Sequence, residues 1–194
     1  MTAIRKSETM SASAFLEWAE AQNGGRYQLI SGEIVAMAPE RVEHVHVKRM
    51  AANALDAAAA AAKLLCRAYV DGLGVKIDDS TVFEPDALVN CGAPPSRGSL
   101  IAPNPVIVVE VISPSTAARD IAEKYANYFR HPSVQHYLIL FIEKRIAILH
   151  SRAEGEMLKS RIARDGDRLT FDPPGIEVAV SDFFAGLDTA LADE

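Results

Sequence analysis

Cysteine is scarce in this 194-residue chain, which has only Cys66 and Cys91. Two thiols on segments that read as different elements make neither a disulfide framework nor a zinc ligand set, so a reduced, cytoplasmic setting is expected. Long apolar runs are missing as well. The longest uncharged apolar stretches, such as Leu100 to Val109, are too short and too rich in proline to span a bilayer. Met1 to Met10 has no apolar centre and does not read as a secretory signal. Positive charge is in short supply, with 20 Lys and Arg against 26 Asp and Glu for a net charge of −6. A protein that grips long duplex DNA by its phosphates presents a basic surface. Any nucleic-acid footprint here must therefore be local or shared between subunits. Gly92 to Gly98 lacks the pattern of a phosphate-cradling loop. Ser113 and Ser115 lack the flanking glycines of a nucleophile elbow.

What is present is an ordinary globular composition, 49% hydrophobic and 24% charged. A chain of this size makes one domain and buries roughly 70% of its unfolded surface. Ser11 to Gln22 reads as a helix capped by Ser11 or Ser13 and ended by Gly24-Gly25. Tyr27 to Ile30 and Glu33 to Met37 read as a hairpin about Ser31-Gly32. After Pro39 a long helix runs from about Glu40 to Lys63, its alanine run Ala57 to Ala62 being a closely packed face.

Strands are expected over Leu64 to Val70, Leu73 to Ile77 and Ala87 to Asn90, followed by a Pro- and Gly-rich loop to Asn104. Val106 to Ile112 is almost continuously β-branched, as in a central strand covered on both faces. Ser113 to Thr116 makes a turn in which Ser115 or Thr116 caps a helix from Ala117 to Arg130. His136 to Ile142 and Arg145 to His150 form another hairpin, and strands at Leu158 to Ala163, Leu169 to Phe171 and Ile176 to Val180 complete the sheet. The expectation is an α/β protein, a mixed β-sheet flanked by helices in a single domain. Residues 1–25 form an N-terminal helical segment, 26–187 the core and 188–194 a C-terminal tail.

The informative residue is Glu110, which interrupts the apolar strand and shares a face with Val108 and Ile112. A carboxylate there costs several kcal/mol, on the order of a buried ion, unless it is paired, hydrogen-bonded or bound to a metal. Asp86, in Glu84-Pro85-Asp86, and Glu33 begin two other strands. Three acids with a lysine-bearing helix after the last form a constellation suited to metal-dependent phosphodiester cleavage. Mg²⁺ takes oxygen ligands from one or two carboxylates plus the phosphate, and the bound ion activates water. On the helix, Lys124 falls with Ala117, Ile121 and Tyr128 in an apolar ribbon that faces the sheet. His44 and His46 are two apart on a helix and face different ways, so they are no metal pair. His131, His136 and His150 read as structural. Arg41, Lys48, Arg49, Arg119 and Arg130 are among the positive residues that can touch phosphates.

Tyr27-Gln-Leu-Ile-Ser-Gly-Glu-Ile-Val35, Glu43-His44, Glu84-Pro-Asp86, Val109-Glu-Val-Ile-Ser-Pro-Ser-Thr116 and Arg119-Asp-Ile-Ala-Glu-Lys124 resemble the Uma-type putative restriction endonuclease family. That family belongs to the PD-(D/E)xK nuclease superfamily, and the resemblance runs from about Tyr27 to Leu187. It implies a restriction-endonuclease-like fold and a Mg²⁺- or Mn²⁺-dependent endonuclease acting on nucleic acid, DNA foremost. It also implies Asp86 as principal metal ligand, Glu110 as second acid, Glu33 as an assisting acid and His44 near the site. The superfamily lysine belongs two residues after the second acid, where this chain has Ile112; its role passes to Lys124. Gln28 stands where relatives often carry an acid. A homodimer is expected, since one site per chain must pair to cut two strands symmetrically. The alternative is a catalytically silent nucleic-acid-binding or interaction protein on the same fold.

Overall fold

The computed structural model describes residues 9–112, 118–155 and 157–187, with 118–120 described by backbone only. The Ser113 to Thr116 turn, its capping serine or threonine, Ala117 and the 188–194 tail lie outside the described residues.

Helix α1 (Ala12–Glu20) starts where expected. The Ser11 hydroxyl accepts the Ala14 N–H at 3.2 Å, satisfying one of the free donors of the first turn. Phe15 of α1 packs on Leu29 of β1 (Tyr27–Ile30). β1 turns back into β2 (Glu33–Ala36) through Ser31 and Gly32, with φ of +51° and +83°. Two successive left-handed residues match the twist of a two-residue hairpin. Gly32 is also required sterically, because a Cβ there would lie 2.5 Å from that of Thr9.

Helix α2 (Val42–Ala61) buries Val47, Ala51, Ala52, Leu55 and Ala59, so its alanines let the backbone approach the sheet closely. Strands β3 (Cys66–Val70), β4 (Val75–Asp78), β6 (Ala87–Cys91), β7 (Pro105–Ile112), β8 (His136–Phe141), β9 (Ile146–Arg152) and β10 (Leu158–Ala163) follow the expected order. β5 (Thr81–Phe83), three residues long, was not anticipated.

The larger sheet has the order β10-β9-β8-β7-β6-β3, mixed because β7 and β8 run parallel while its other neighbours are antiparallel. β2-β1-β5-β4 form a second, antiparallel sheet. The chain is thus a single-domain α/β fold with sheets flanked by helices. The C-terminal strands also differ from expectation. β11 (Arg168–Phe171) and β12 (Ile176–Ala179) do not complete the main sheet but pair with each other, and α4 (Val180–Phe183) follows.

Alternation along β7 divides the core. Ile107, Val109 and Val111 face α2, the β11–β12 ribbon and α4. Val108 and Ile112 face Phe83 and Val75 of the second sheet and Tyr128 of α3 (Ala118–Tyr128). Glu110 shares that second face.

The expectation of unpaired thiols is corrected by the β3–β6 register. Cys66 lies directly opposite Cys91, Cα atoms 4.0 Å apart, and the two are disulfide-bonded. Strand pairing unites segments that are 25 residues apart, which spacing alone did not reveal. The scarcity of cysteine is therefore no ground for a reduced setting.

His136 ties β8 to the ribbon. It is 1% exposed, and its Nε2 donates to the Pro173 carbonyl at 2.7 Å while Nδ1 accepts from the Ser151 hydroxyl, also at 2.7 Å. Burial pushes its pKa down to about 4, with Lys159 adding to the fall and the Pro173 carbonyl and Asp172 opposing it. The unfolded chain binds this proton near pH 6.5. The stabilising contribution is therefore complete above that pH and is lost as pH falls from 6.5 toward 4. At about 1.4 kcal/mol per unit the loss approaches about 3 kcal/mol. Urea unfolding between pH 7.5 and 4 should show wild type losing stability more steeply than His136→Gln. Equal slopes would refute this.

Candidate active site

The site lies where the start of β6 meets β7 on the face turned toward α3. The pairing Ala87↔Val109 sets Asp86 beside Glu110. Asp86 is buried; its Oδ2 accepts the Val111 N–H at 2.7 Å. Its Oδ1 lies 3.0 Å from His44 Nε2, a close charge contact without hydrogen-bond alignment. α2 packs on the opposite face of the sheet, and its first turn brings His44 to Asp86. Burial presses the Asp86 carboxyl upward, but His44, the Val111 N–H and Lys124 outweigh it and hold the pKa below the usual range. Burial lowers His44 too, and Asp86 and Glu40 overcome it, leaving the imidazole raised.

Glu110 is held on its other side by α3. Its Oε2 lies 2.8 Å from Lys124 Nζ and its Oε1 accepts the Tyr128 hydroxyl at 2.6 Å. Lys124 and Tyr128 are one helical turn apart, which is why one helix face grips both oxygens. Burial, with Asp86 nearby, pushes the Glu110 pKa up to about 7 against the pull of Lys124 and Tyr128. Burial and Glu110 drive the Tyr128 hydroxyl well above its usual value.

A third carboxylate enters from the segment before α2. Glu40 Oε1 meets Arg26 at 2.5 Å and its Oε2 meets Lys48. Those cations outweigh burial and keep Glu40 low. Arg26 also reaches Asp71 and Glu84, both at 2.7 Å, and Lys48 reaches Asp71 at 2.8 Å. One ligand atom each from Glu40, His44 and Asp86 lie within 4.8 Å of one another, the one such trio found among the described residues. A cleft of about 520 Å³ opens beside it, lined by Met37, Pro39, Glu40, Val45, Lys48 and Asp71.

Four of the five residues singled out from sequence, His44, Asp86, Glu110 and Lys124, thus meet in one place. Glu33 does not join them. It is exposed at the turn end of the β1–β2 hairpin, paired with Ile30, whereas Arg26 at the other end meets Glu40. Four residues of strand separate these ends by roughly 13 Å. Sequence reasoning missed Glu40, Arg26 and Tyr128. The signal for Glu40 was present: Glu40, His44 and Lys48 recur every four residues, the spacing of one helix face, although Glu40 itself precedes α2. Lys48, read as a possible phosphate contact, is 2% exposed and committed to Glu40 and Asp71. His46 points away, 2.7 Å from the Ala185 carbonyl. His131 and His150 meet Ser133 and Ser160.

Residues 12–181 match the profile of Uma2, described as "Putative restriction endonuclease". The chain belongs to that family. An uncharacterized protein of Synechocystis sp. (strain ATCC 27184 / PCC 6803 / Kazusa) is 27% identical over 184 residues, 92% of this chain and 93% of its own. Among solved structures, one described as a putative nuclease belonging to DUF820 from Anabaena variabilis superposes with a TM-score of 0.72. At 12% identity, over 92% of this chain and 99% of that one, it shows that the fold is shared. Among the described residues of this Uma2 member, no helix is long and apolar enough to cross a membrane.

Proposed function

We propose that this chain is a divalent-metal-dependent endonuclease that hydrolyses phosphodiester bonds in nucleic acid, DNA foremost, with 26–187 as the nuclease unit. The observation that carries the reading is Asp86 and Glu110 buried side by side, with the Lys124 ammonium on Glu110. Buried acids at such a cost are expected where a site needs them.

The residues fit a cation. Glu40, His44 and Asp86 offer two carboxylates and an imidazole, and the His44 Nε2 is buried without an aligned hydrogen-bond partner. An imidazole among oxygen donors suits Mn²⁺ better than Mg²⁺, which prefers oxygen alone. When bound, the ion supplies Lewis-acid polarisation of the phosphate and acidifies a water. Asp86 would hold the ion together with Glu40 and His44, and is itself oriented by the Val111 N–H. Glu110 is kept in a single pose by Tyr128 and Lys124. Lys124 presents positive charge where the phosphate gathers negative charge, from a dry position where charge acts strongly. Glu33 is left out of this assignment. Two copies related by a two-fold axis would place one site on each strand of a duplex.

Supercoiled plasmid incubated with the protein should be nicked or linearised with Mn²⁺, more slowly with Mg²⁺, and left intact in EDTA. Calorimetry should show Mn²⁺ binding. Wild-type protein that neither binds Mn²⁺ nor cuts DNA or RNA would overturn the proposal in favour of a silent binding protein.

A further inference from the structure

A further oxygen-bearing side chain is buried on the face of the second sheet that packs toward this site, its amide oxygen unpartnered. Gln28 of β1 is 7% exposed, and its Oε1 has no hydrogen-bond partner. An unsatisfied buried amide oxygen costs about 1–3 kcal/mol, and such groups call for an explanation in a folded protein.

The strand register shows where it points. β1 pairs with β5 through Leu29↔Val82, and both of those side chains join Ala12 and Phe15 in the cluster under α1. Alternation turns Gln28 and its cross-strand neighbour Phe83 to the opposite face. Phe83 meets the Tyr128 ring at 5.3 Å between centroids, and Tyr128 donates to Glu110. Arg26, two residues before Gln28 and so on its side of the hairpin, binds Glu40 and Glu84. Gln28 therefore shares its sheet face with Phe83, which touches Tyr128, and with Arg26, which binds Glu40.

We propose that Gln28 is a positioning residue of this site, its Oε1 accepting a hydrogen bond from a water of the hydrated divalent cation held at Glu40, His44 and Asp86. The inference rests on the metal site proposed above. Small divalent cations keep several of their waters, and those waters need fixed acceptors. A glutamine supplies the acceptor without adding another negative charge to a site that already holds three carboxylates.

The experiment is Mn²⁺ calorimetry on wild type, Gln28→Met and Gln28→Glu, with the melting temperature of each metal-free protein recorded. Methionine keeps the volume and removes the oxygen. It should weaken Mn²⁺ by about tenfold, the scale seen for lost partners of metal-bound groups, while the metal-free melting temperature stays level or rises. Glutamate should tighten Mn²⁺, since affinity for hard cations rises with the carboxylate charge of the site. A purely structural glutamine would lower the melting temperature on substitution and leave the affinity alone. If the methionine variant does not fold, the glutamate variant decides. Wild type that binds Mn²⁺ while the folded variants bind it equally, within twofold, overturns this inference alone. Wild type that binds no Mn²⁺ overturns the metal site and this inference with it.

Discussion

Asp86→Asn is expected to remove at least about 99% of the Mn²⁺ affinity of the wild type, since a lost ligand carboxylate exceeds the 10- to 100-fold typical of outer-shell changes, while the chain still folds. Asp86 is the member common to the trio with Glu40 and His44 and to the pair with Glu110. The amide retains the side-chain shape, and its oxygen can still accept the Val111 N–H that Oδ2 accepts in wild type. What disappears is the charge. The surroundings hold the Asp86 pKa below its usual value, so in the metal-free protein its ionised form is favoured on balance. Replacing it should therefore lower metal-free stability, by about 1.5–3 kcal/mol, the scale of a hydrogen bond to a charged group. Calorimetry with Mn²⁺ and urea unfolding in EDTA measure the two effects separately. Undiminished Mn²⁺ binding by the variant would remove Asp86 from the ligand set.

Loss of the Lys124 ammonium should slow cleavage by at least about a hundredfold, the scale of removing one preorganised charge donor. The pair it makes with Glu110 at 2.8 Å is buried on both sides, with side-chain exposures of 6% and 7%. Removing one partner of such a pair typically costs about 3–5 kcal/mol. Here the cost should fall at the lower end. Glu110 already has a pKa of about 7 with Lys124 present, so it escapes the burial of a lone charge by taking up a proton. Lys124→Met is the informative variant because its apolar stem keeps the packing that alanine would lose. It should fold and bind Mn²⁺ through Glu40, His44 and Asp86 yet cut plasmid at no more than about a hundredth of the wild-type rate. Cleavage near the wild-type rate would show that Lys124 only braces Glu110.

Much of the local structure was legible from the residues. The Ser31-Gly32 turn, the Ser11 cap and the β-branched run of β7 depend on interactions within a few residues, which sequence states directly. The anomaly of Glu110 was legible too, because a charge in an apolar strand demands a partner wherever the strand lies. The placement of Lys124 on the inner side of α3 followed from helical periodicity. Asp86 was visible as one acid of the constellation, but its role as principal metal ligand and the placement of His44 came from the family resemblance, since an acid after proline and a helical histidine are individually commonplace.

By itself, then, the sequence determined the α/β class, the order of the main elements and the acid–lysine theme, all of which follow from periodicity, turn chemistry and the cost of burying charge. The tertiary structure alone decided who meets whom. It bonded Cys66 to Cys91, set β11 and β12 apart from the main sheet and drew Lys48 into ion pairs instead of leaving it to phosphates. It brought Glu40 to His44 and Asp86 and left Glu33 at the far end of its hairpin. The physical reason is that strand register and helix placement join residues far apart in the chain through packing of the whole core. No local window of sequence contains that sum.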